Sequence, residues 1–286
     1  MTATLMEGRP LAERIRAQVA EDVRALGSIG LATVQVGEDE ASSIYLRLKH
    51  KAAAEVEISS VDRKLPHTIS EDDVLEEVAA LNADDAIDGI LVQLPLPDHI
   101  DEARVIAAVE PVKDVDGFHP FNAGQLYLGR PTHVPATPLG VMTLLAEYKL
   151  PLDGARAVVV GRSTIVGKPV AHLLLQAHAT VTICHSHTAD LARHTLDADV
   201  LVVAAGVAEV ISADMVKSGA AVVDVGINRT EEGIVGDVDP DVASRAALLT
   251  PVPGGVGPMT IAMLLQNTIQ AARYRRSHLA FPEIQR

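Results

Sequence analysis

Short apolar runs alternate with amphipathic stretches along most of the chain. The apolar runs are rich in valine, isoleucine and leucine, which is typical of parallel strands buried on both faces. The amphipathic stretches repeat apolar residues every three or four positions, which predicts helices. Strands are predicted at residues 31–36, 58–65, 89–94, 155–160, 180–184, 200–205 and 220–225. Helices are predicted at residues 11–26, 70–82, 102–109, 139–147, 169–176 and 258–273, with another around Tyr45 and Lys49.

This alternation predicts an α/β fold in which helices cover parallel sheets. Residues 111–138 interrupt it, because they are rich in proline, glycine, histidine and asparagine. We interpret them as loops and as the crossing between two domains, one at residues 1–138 and one at residues 139–257. The basic residues 273–278 after the last helix are interpreted as a solvated tail.

The amino-acid composition limits the kinds of molecule that this protein is expected to bind. The chain has 286 residues and a formal net charge of −14, which argues against a nucleic-acid partner because phosphate binding needs a basic face. It has a single cysteine, so no internal disulfide is expected, as in a reducing compartment. No secretory signal pattern and no apolar run of membrane-spanning length is present. We therefore expect a cytoplasmic protein without a membrane partner.

Tyr45 and Lys49 are the first candidates for chemistry. They stand one helical turn apart and share a face of the predicted helix. An aromatic ring beside an amine can hold a flat substrate and move a proton. The structural alternative is a packed tyrosine and a solvated surface lysine, since lysine is mostly exposed. This pair alone does not decide between the two interpretations.

The turn from Gly161 to Pro169 lies between a predicted buried strand and a helix. Its glycines let the backbone approach a pyrophosphate, whose charge the helix N-terminus favours. The motif is neither Gly-x-Gly-x-x-Gly nor a Walker loop, because Pro169 stands where a magnesium-binding hydroxyl is needed. Nucleotide binding and a tight turn without a ligand both remain open.

The next strand bears on cofactor choice. An NAD site usually has an Asp or Glu at the end of that strand, but here the strand is followed by His185, Ser186 and His187. Arg162 and Ser163 of the glycine turn can instead hold a 2′-phosphate, which favours NADP. A metal site at the two histidines is disfavoured, since no Cys, Asp or Glu partner stands at metal-ligand spacing.

Two later segments also lie where a ligand is expected. Residues 224–228 end a predicted strand, and residues 251–260 carry several glycines and prolines. Such a loop is typical of a rigid wall beside a ligand, and the alternative is an ordinary hinge between domains.

Taken together, the chain resembles the bifunctional methylenetetrahydrofolate dehydrogenase/cyclohydrolase family of the FolD type. The matching blocks are Val36-Gly-x-x-x-Ala-Ser-x-x-Tyr45-x-x-x-Lys49, Gly89-Ile-Leu-Val-Gln93-Leu-Pro-Leu-Pro97, Lys113-Asp-Val-Asp116-Gly-Phe, Thr137-Pro-x-Gly140, Gly161-Arg-Ser-x-x-Val-Gly167-x-Pro169, Asp224-Val-Gly-Ile-Asn228 and Pro253-Gly-Gly-Val-Gly-Pro-Met-Thr260. They occur in order over nearly the whole length.

The resemblance implies an N-terminal folate-binding catalytic domain, a Rossmann domain that binds NADP, and a cleft between them. Residues 258–286 are expected to return and pack on the first domain. The implied reactions are oxidation of 5,10-methylenetetrahydrofolate to the methenyl form and hydrolysis of that cation to 10-formyltetrahydrofolate. A homodimer paired through the cofactor domains is also implied.

The family's site residues carry over by position. Lys49 matches the acid/base group, and Gln93 matches the residue that hydrogen-bonds it. Tyr45 is expected to stack near the pterin, and Asp116 to anchor its aminopyrimidine; a turn-forming aspartate is the alternative for Asp116. Pro258 is expected to contact substrate. The implied cofactor contacts are Gly161, Arg162, Ser163, Val166, Gly167, Ser186, Gly206 and Ile227.

The chain also departs from the family pattern. Val207 and Ala208 replace a common Lys-Pro pair, and His187 stands where lysine is frequent. Two rival functions stay open: a Rossmann dehydrogenase of another class, such as one acting on shikimate-like acids, and a nucleotide-binding regulatory protein without catalysis. The other dehydrogenase would not explain Gln93 or the loop of residues 253–260. Intact Lys49, Gln93 and Asp116 argue against the regulatory protein.

Overall fold

The computed structural model describes residues 2–37, 40–231 and 233–282, except for the side chains of residues 40–43. The chain forms two compact units. The six-stranded unit comprises Met1–Glu13 and Thr137–Thr260, and the three-stranded unit comprises Arg14–Ala136 and Ile261–Arg286.

The strands and helices follow one another along the chain in the predicted α/β alternation. The strands are β1 (Thr4–Leu5), β2 (Gly30–Val36), β3 (Ser59–Leu65), β4 (Gly89–Val92), β5 (Arg156–Val160), β6 (Thr180–Cys184), β7 (Val200–Val203), β8 (Ala221–Asp224), β9 (Asn228–Thr230), β10 (Gly233–Val235) and β11 (Leu248–Leu249). The helices are α1 (Arg9–Leu26), α2 (Glu40–Glu55), α3 (Glu71–Ala83), α4 (Glu102–Ala108), α5 (Pro120–Tyr127), α6 (Ala136–Glu147), α7 (Gly167–Gln176), α8 (Leu191–Thr195) and α9 (Val256–Arg275).

The three-stranded unit is a parallel sheet in the order β3-β2-β4. Every residue of β2 and β4 is buried, as their continuous apolar runs predict, whereas β3 is an exposed edge. Helix α3 packs Val74 and Val78 into the core of this sheet. Ser70 caps α3, since its hydroxyl accepts a hydrogen bond from the Asp73 amide at 3.2 Å.

The six-stranded unit is a parallel sheet in the order β1-β11-β8-β7-β5-β6. The chain runs from β5 to β6 on one side and then continues with β7 on the other side of β5. Parallel sheets bind ligands outside the carboxyl ends of the strands at such a reversal. The crevice of interest is therefore between the loops that follow β5 and β7.

The prediction of a parallel α/β fold is confirmed, and every predicted strand and helix has a counterpart. The interpretation of residues 111–138 as loops was wrong. They contain α5, the start of α6, and buried polar residues such as Lys113 and Asn122. Helix α5 forms despite its glycine because Pro120 occupies its first turn and the His119 ring nitrogen accepts from the Phe121 amide at 3.0 Å.

The interpretation of residues 273–278 as a solvated tail was also wrong. Arg275 donates to the buried Asp88 carboxylate at 2.8 Å, and Arg276 donates to the same carboxylate at 3.2 Å. Arg276 also donates to the Leu26 carbonyl at 2.5 Å. Carboxylates and carbonyls on neighbouring elements therefore bind these arginines, a pairing that local sequence does not reveal.

The compact units differ from the predicted domain boundary at the N-terminus. Residues 1–138 were assigned to the first domain, but Met1–Glu13 clusters with the six-stranded unit because β1 pairs with β11. Residues from Ile261 onward cluster with the three-stranded unit. In the described part of the chain, no helix is long and apolar enough to cross a membrane.

Candidate active site

Lys49 is a buried amine in the three-stranded unit, with 8% of its surface exposed. Helix α2 carries it, and its Nζ donates to the Gln93 Oε1 at 3.2 Å. Gln93 follows β4, and its amide nitrogen donates to the Leu94 carbonyl at 2.8 Å. That second bond turns the amide oxygen of Gln93 towards the lysine. The two residues thus meet just beyond the carboxyl end of β4.

Tyr45 lies one turn before Lys49 on the same helix. Its ring centroid is 5.7 Å from the lysine Nζ, and the ring is half-buried. The predicted shared face of Tyr45 and Lys49 is therefore present, with the amine beside the ring. The lysine is not the solvated surface residue of the structural alternative.

Asp116 lies close enough to Lys49 for each charge to act on the other's pKa. Burial lowers the pKa of Lys49, and the Asp116 charge opposes that shift. Burial raises the pKa of Asp116 to about 7, against the opposing effect of Lys49. The Asp116 carboxyl therefore exchanges between its charged and neutral forms near neutral pH, beside an amine whose charged form is disfavoured by burial.

Lys113 and Asp114, which precede Asp116 in the chain, support the loop that carries it. Neither was identified as a site residue from the sequence. The buried Lys113 amine donates to three carbonyls near the end of α3: Leu81 at 3.1 Å, Asn82 at 2.7 Å and Asp84 at 2.9 Å. The Asp114 carboxylate accepts from the His119 amide and from the Asn122 side chain, both at 2.8 Å. The available sequence signal is the pair of adjacent charges between Val112 and Val115, since charged residues within an apolar stretch are buried only when they are paired or hydrogen-bonded.

The glycine turn after β5 has the close backbone approach that its sequence predicts. A Cβ on Gly161 would lie 2.1 Å from the Ala204 carbonyl oxygen, and one on Gly167 would lie 2.2 Å from the Gly161 carbonyl oxygen. The Ser163 hydroxyl accepts from the Val166 amide at 3.1 Å and from the Gly167 amide at 3.3 Å. Only glycine fits at these two positions, so the turn is compact and its backbone open to a ligand.

Cationic and hydroxyl groups gather at the carboxyl ends of β5 and β6. Arg162, Ser186 and His187 are exposed there, next to the half-buried His185. The pKa of His185 is lowered, mainly by desolvation and to a smaller extent by the positive charges of Arg162 and His187. The described residues contain no group of three or more His, Cys, Asp or Glu side chains arranged to hold a metal ion. This group of residues has the chemistry of a phosphate site.

The other predicted cofactor residues follow β7 and β8. Gly206 has a φ of 67°, and nothing lies within 4 Å of where its Cβ would be. Val207 and Ile227 are exposed by 54% and 49%, an unusual exposure for aliphatic residues at this edge of the sheet. Pro258 is in the first turn of α9, in the six-stranded unit, whereas Lys49, Gln93 and Asp116 belong to the three-stranded unit. Its contact with substrate stays a prediction.

These features define a class of protein: an α/β enzyme with a Rossmann-type dinucleotide-binding sheet in one unit and a buried, hydrogen-bonded lysine in the other. Comparison with known proteins specifies the family. Residues 6–116 match the model of the tetrahydrofolate dehydrogenase/cyclohydrolase catalytic domain, and residues 135–276 match the model of its NAD(P)-binding domain. The chain belongs to the tetrahydrofolate dehydrogenase/cyclohydrolase family, as its motifs predict.

Individual relatives agree over nearly the whole length. Bifunctional protein FolD of Burkholderia thailandensis is 55% identical over 95% of this chain and 98% of its own. The structure of the bifunctional FolD enzyme of Campylobacter jejuni aligns with a TM-score of 0.94 at 48% identity, covering 96% of this chain and 99% of that one. The FolD of Trypanosoma brucei, solved with NADP and an inhibitor, aligns with a TM-score of 0.92 at 40% identity, covering 98% and 100%.

Proposed function

We propose that this protein oxidises 5,10-methylenetetrahydrofolate to 5,10-methenyltetrahydrofolate with NADP+ and then hydrolyses the product to 10-formyltetrahydrofolate. The observation that carries this proposal is the buried Lys49 amine, bonded to Gln93 and flanked by Tyr45 and Asp116. A family match identifies the reactions of relatives, and this arrangement supplies the groups that both reactions need in this chain.

Lys49 is proposed as the proton carrier in hydrolysis. Burial lowers the pKa of its amine, so a larger fraction is neutral and able to accept a proton. The amine takes a proton as water attacks the methenyl carbon. It returns a proton to the ring nitrogen when the carbon–nitrogen bond breaks, and the new hydroxyl group loses its proton to solvent as it becomes the formyl oxygen. Gln93 accepts a hydrogen bond from the amine and thereby holds it at the reacting carbon.

Asp116 and Tyr45 are proposed to bind the pterin. An ionised carboxylate accepts two N–H donors from an aminopyrimidine, a bidentate arrangement that fixes the ring's orientation. The half-buried Tyr45 ring offers a flat apolar surface beside the amine. Orientation of the substrate is the main contribution the protein makes to hydride transfer. Pro258 is proposed as a further substrate contact.

The six-stranded unit fits a pyridine dinucleotide. Gly161 and Gly167 leave the backbone open to a pyrophosphate, and the Ser163 hydroxyl shapes the turn. When bound there, NADP+ supplies the acceptor for the hydride of the methylene group. The other proposed contacts are Arg162, Val166, Ser186, Gly206 and Ile227. Arg162, beside His185, favours NADP over NAD because it can pair with the 2′-phosphate.

We also propose a cytoplasmic homodimer paired through the six-stranded units. Its support is the edge strand β6, which pairs only with β5 among the described residues and exposes Ile183 by 43%. Leu175 of the neighbouring α7 is exposed by 59%. An apolar edge of this kind is normally covered in the native assembly.

An absorbance assay tests the proposed function. Purified protein is mixed with 5,10-methylenetetrahydrofolate and either NADP+ or NAD+, and the decay of added methenyl substrate is followed separately. Turnover with NADP+ and accelerated decay are expected. Oxidation without accelerated decay would leave a dehydrogenase only, and turnover with neither substrate would favour the regulatory alternative.

The variant Lys49→Met tests the acid/base assignment. Hydrolysis should fall by about a hundredfold or more, since general acid–base groups contribute that much, while folate binding is retained. The matched control is Lys51→Met, which changes an exposed lysine two residues further along the same helix. This variant should hydrolyse the methenyl substrate at the rate of the parent protein. Retained hydrolysis in Lys49→Met would refute the role of Lys49.

A further inference from the structure

Asp237 is completely buried, yet it holds an exposed turn after β7. One of its carboxylate oxygens accepts from the backbone amide of Ala205 at 2.7 Å and from that of Gly206 at 2.8 Å. The other oxygen accepts from the Asn228 side chain at 2.8 Å. A buried carboxylate is costly unless it is fully hydrogen-bonded, so the conformation of the turn and the burial of Asp237 depend on each other.

A second buried carboxylate holds Asp237 in place. Asp224, at the end of β8, accepts from the amides of Gly226 at 2.9 Å and of Asp237 and Val238 at 3.0 Å each. Burial, with the nearby charge of Asp237 adding to it, raises the pKa of Asp224 to about 6 despite these bonds. The two carboxylates therefore form one support beneath the loops after β7 and β8.

Two glycines make room for this support. A Cβ on Gly226 would lie 2.2 Å from an Asp237 carboxylate oxygen, and one on Gly236 would lie 1.8 Å from an Asp224 carboxylate oxygen. Any side chain at either position would displace a carboxylate. The glycine in the Asp224–Asn228 motif thus makes room for the carboxylate pair.

The supported turn lies at the proposed cofactor crevice. A doubly wound sheet consists of two mononucleotide-binding halves, and here β7 and β8 begin the second half, which takes the nicotinamide end. Val207 and Ile227, in the loops after β7 and β8, are exposed. These loops therefore offer aliphatic surface against which an apolar ring can pack.

We propose that Asp237 is a positioning residue, which holds the Ala205–Gly206 turn in the shape that receives the nicotinamide half of the dinucleotide. This inference rests on the proposed function and adds a role that no motif residue carries. Asp237 acts through the protein, because its carboxylate holds the backbone amides of Ala205 and Gly206. A turn released from it would reach the binding shape in only a fraction of molecules, and the apparent affinity falls by that fraction.

The test is calorimetric titration of Asp237→Ala with NADP+ and with NAD+. The dissociation constants for both cofactors should rise by a similar factor, about tenfold, because both share the nicotinamide half. Asp237→Asn should stay within about threefold of the parent protein, since its amide oxygen can still accept from two amides. The matched control is Asp239→Ala, whose carboxylate accepts only from the nearby Asp241 amide among the described contacts and should leave binding unchanged.

Unchanged affinity in a folded Asp237→Ala would overturn the inference, as would a loss restricted to NADP+. If circular dichroism shows that this variant does not fold, Asn228→Ala decides, because it removes one bond from the carboxylate and leaves the charge. A weakening of about threefold for both cofactors then supports the inference, and no change overturns it. Failure of the parent protein to bind either cofactor would instead refute the proposed function.

Discussion

Asp116 is the residue whose environment differs most from that of an ordinary aspartate. Its pKa is raised to about 7, mainly by burial, while the neighbouring Lys49 charge works in the opposite direction. Because the folded-state pKa is raised, the carboxylate form predominates only above about pH 7. The proposed anchor for the aminopyrimidine is therefore strongest on the alkaline side of neutrality.

This environment predicts a pH-dependent substrate affinity. The KM for methylenetetrahydrofolate should rise as pH falls from 8 to 6, because protonated Asp116 loses one acceptor. In Asp116→Asn the KM should be high throughout and nearly independent of pH. Initial rates at saturating NADP+ across this range provide the measurement. A parent enzyme with a flat KM profile would contradict the role of Asp116.

Arg162 provides a second prediction at the level of a single side chain. Arg162→Ala should raise the dissociation constant of NADP+ by about tenfold or more and leave that of NAD+ unchanged, since a charge-assisted hydrogen bond to the 2′-phosphate is lost. Arg156→Ala, at the opposite end of β5, is the matched control because its ion pairs are with Asp197 and Asp199. Equal loss for both cofactors would show that Arg162 does not distinguish them.

Helix α9 was predicted from the sequence, but the role of its last turn was not. Its end is fixed by Asp88, which is 2% exposed and accepts from Arg275, from Arg276 and from the Gly30 amide. One carboxylate thus ties the last turn of α9 to the start of β2. Removing it leaves the Gly30 amide without its acceptor. The two partly buried guanidinium groups also lose their shared buried carboxylate, and their main remaining acceptors are the carbonyls of Asp85, Leu26 and Ser28.

Asp88→Ala should therefore lower the free energy of unfolding by about 3 kcal/mol, the cost of breaking a buried ion pair from one side. Asp85→Ala is the control, because the Asp85 side chain is fully exposed and also pairs with Arg275. Its effect should stay within about 0.5 kcal/mol. Urea denaturation at neutral pH measures both variants. Similar losses in the two would mean that burial of the pair does not matter.

The elements divide clearly into those that local sequence predicts and those that it does not. Strands such as β2 and β7 follow from continuous aliphatic runs, since few other structures bury every residue of such a run. Helix α5 and the hairpin of β9 and β10 were missed, because they lack a continuous apolar pattern and depend on distant partners. For α5, one such partner is Asp114, whose carboxylate accepts a hydrogen bond from the Asn122 side chain.

The candidate site divides in the same way. Lys49 and Gln93 were predicted through motif resemblance, although 44 positions separate them in the chain. Asp237 was not predicted, because a single aspartate near a turn carries no local sign that it is buried under a loop 31 positions away. Long-range hydrogen bonds of buried carboxylates are the class of contact that composition and periodicity leave out.

At the scale of the whole molecule, the proposed dimer places the edge of the six-stranded sheet in its interface. β6 offers unpaired backbone groups and the exposed Ile183, and lysine at such a position disfavours pairing of edges. Ile183→Lys should convert the proposed dimer to a monomer in sedimentation equilibrium at micromolar concentration. Leu128→Lys, which replaces a residue 61% exposed on the three-stranded unit, should leave the dimer intact. A monomeric parent protein would contradict the dimer, and a dimeric Ile183→Lys would exclude β6 from its interface.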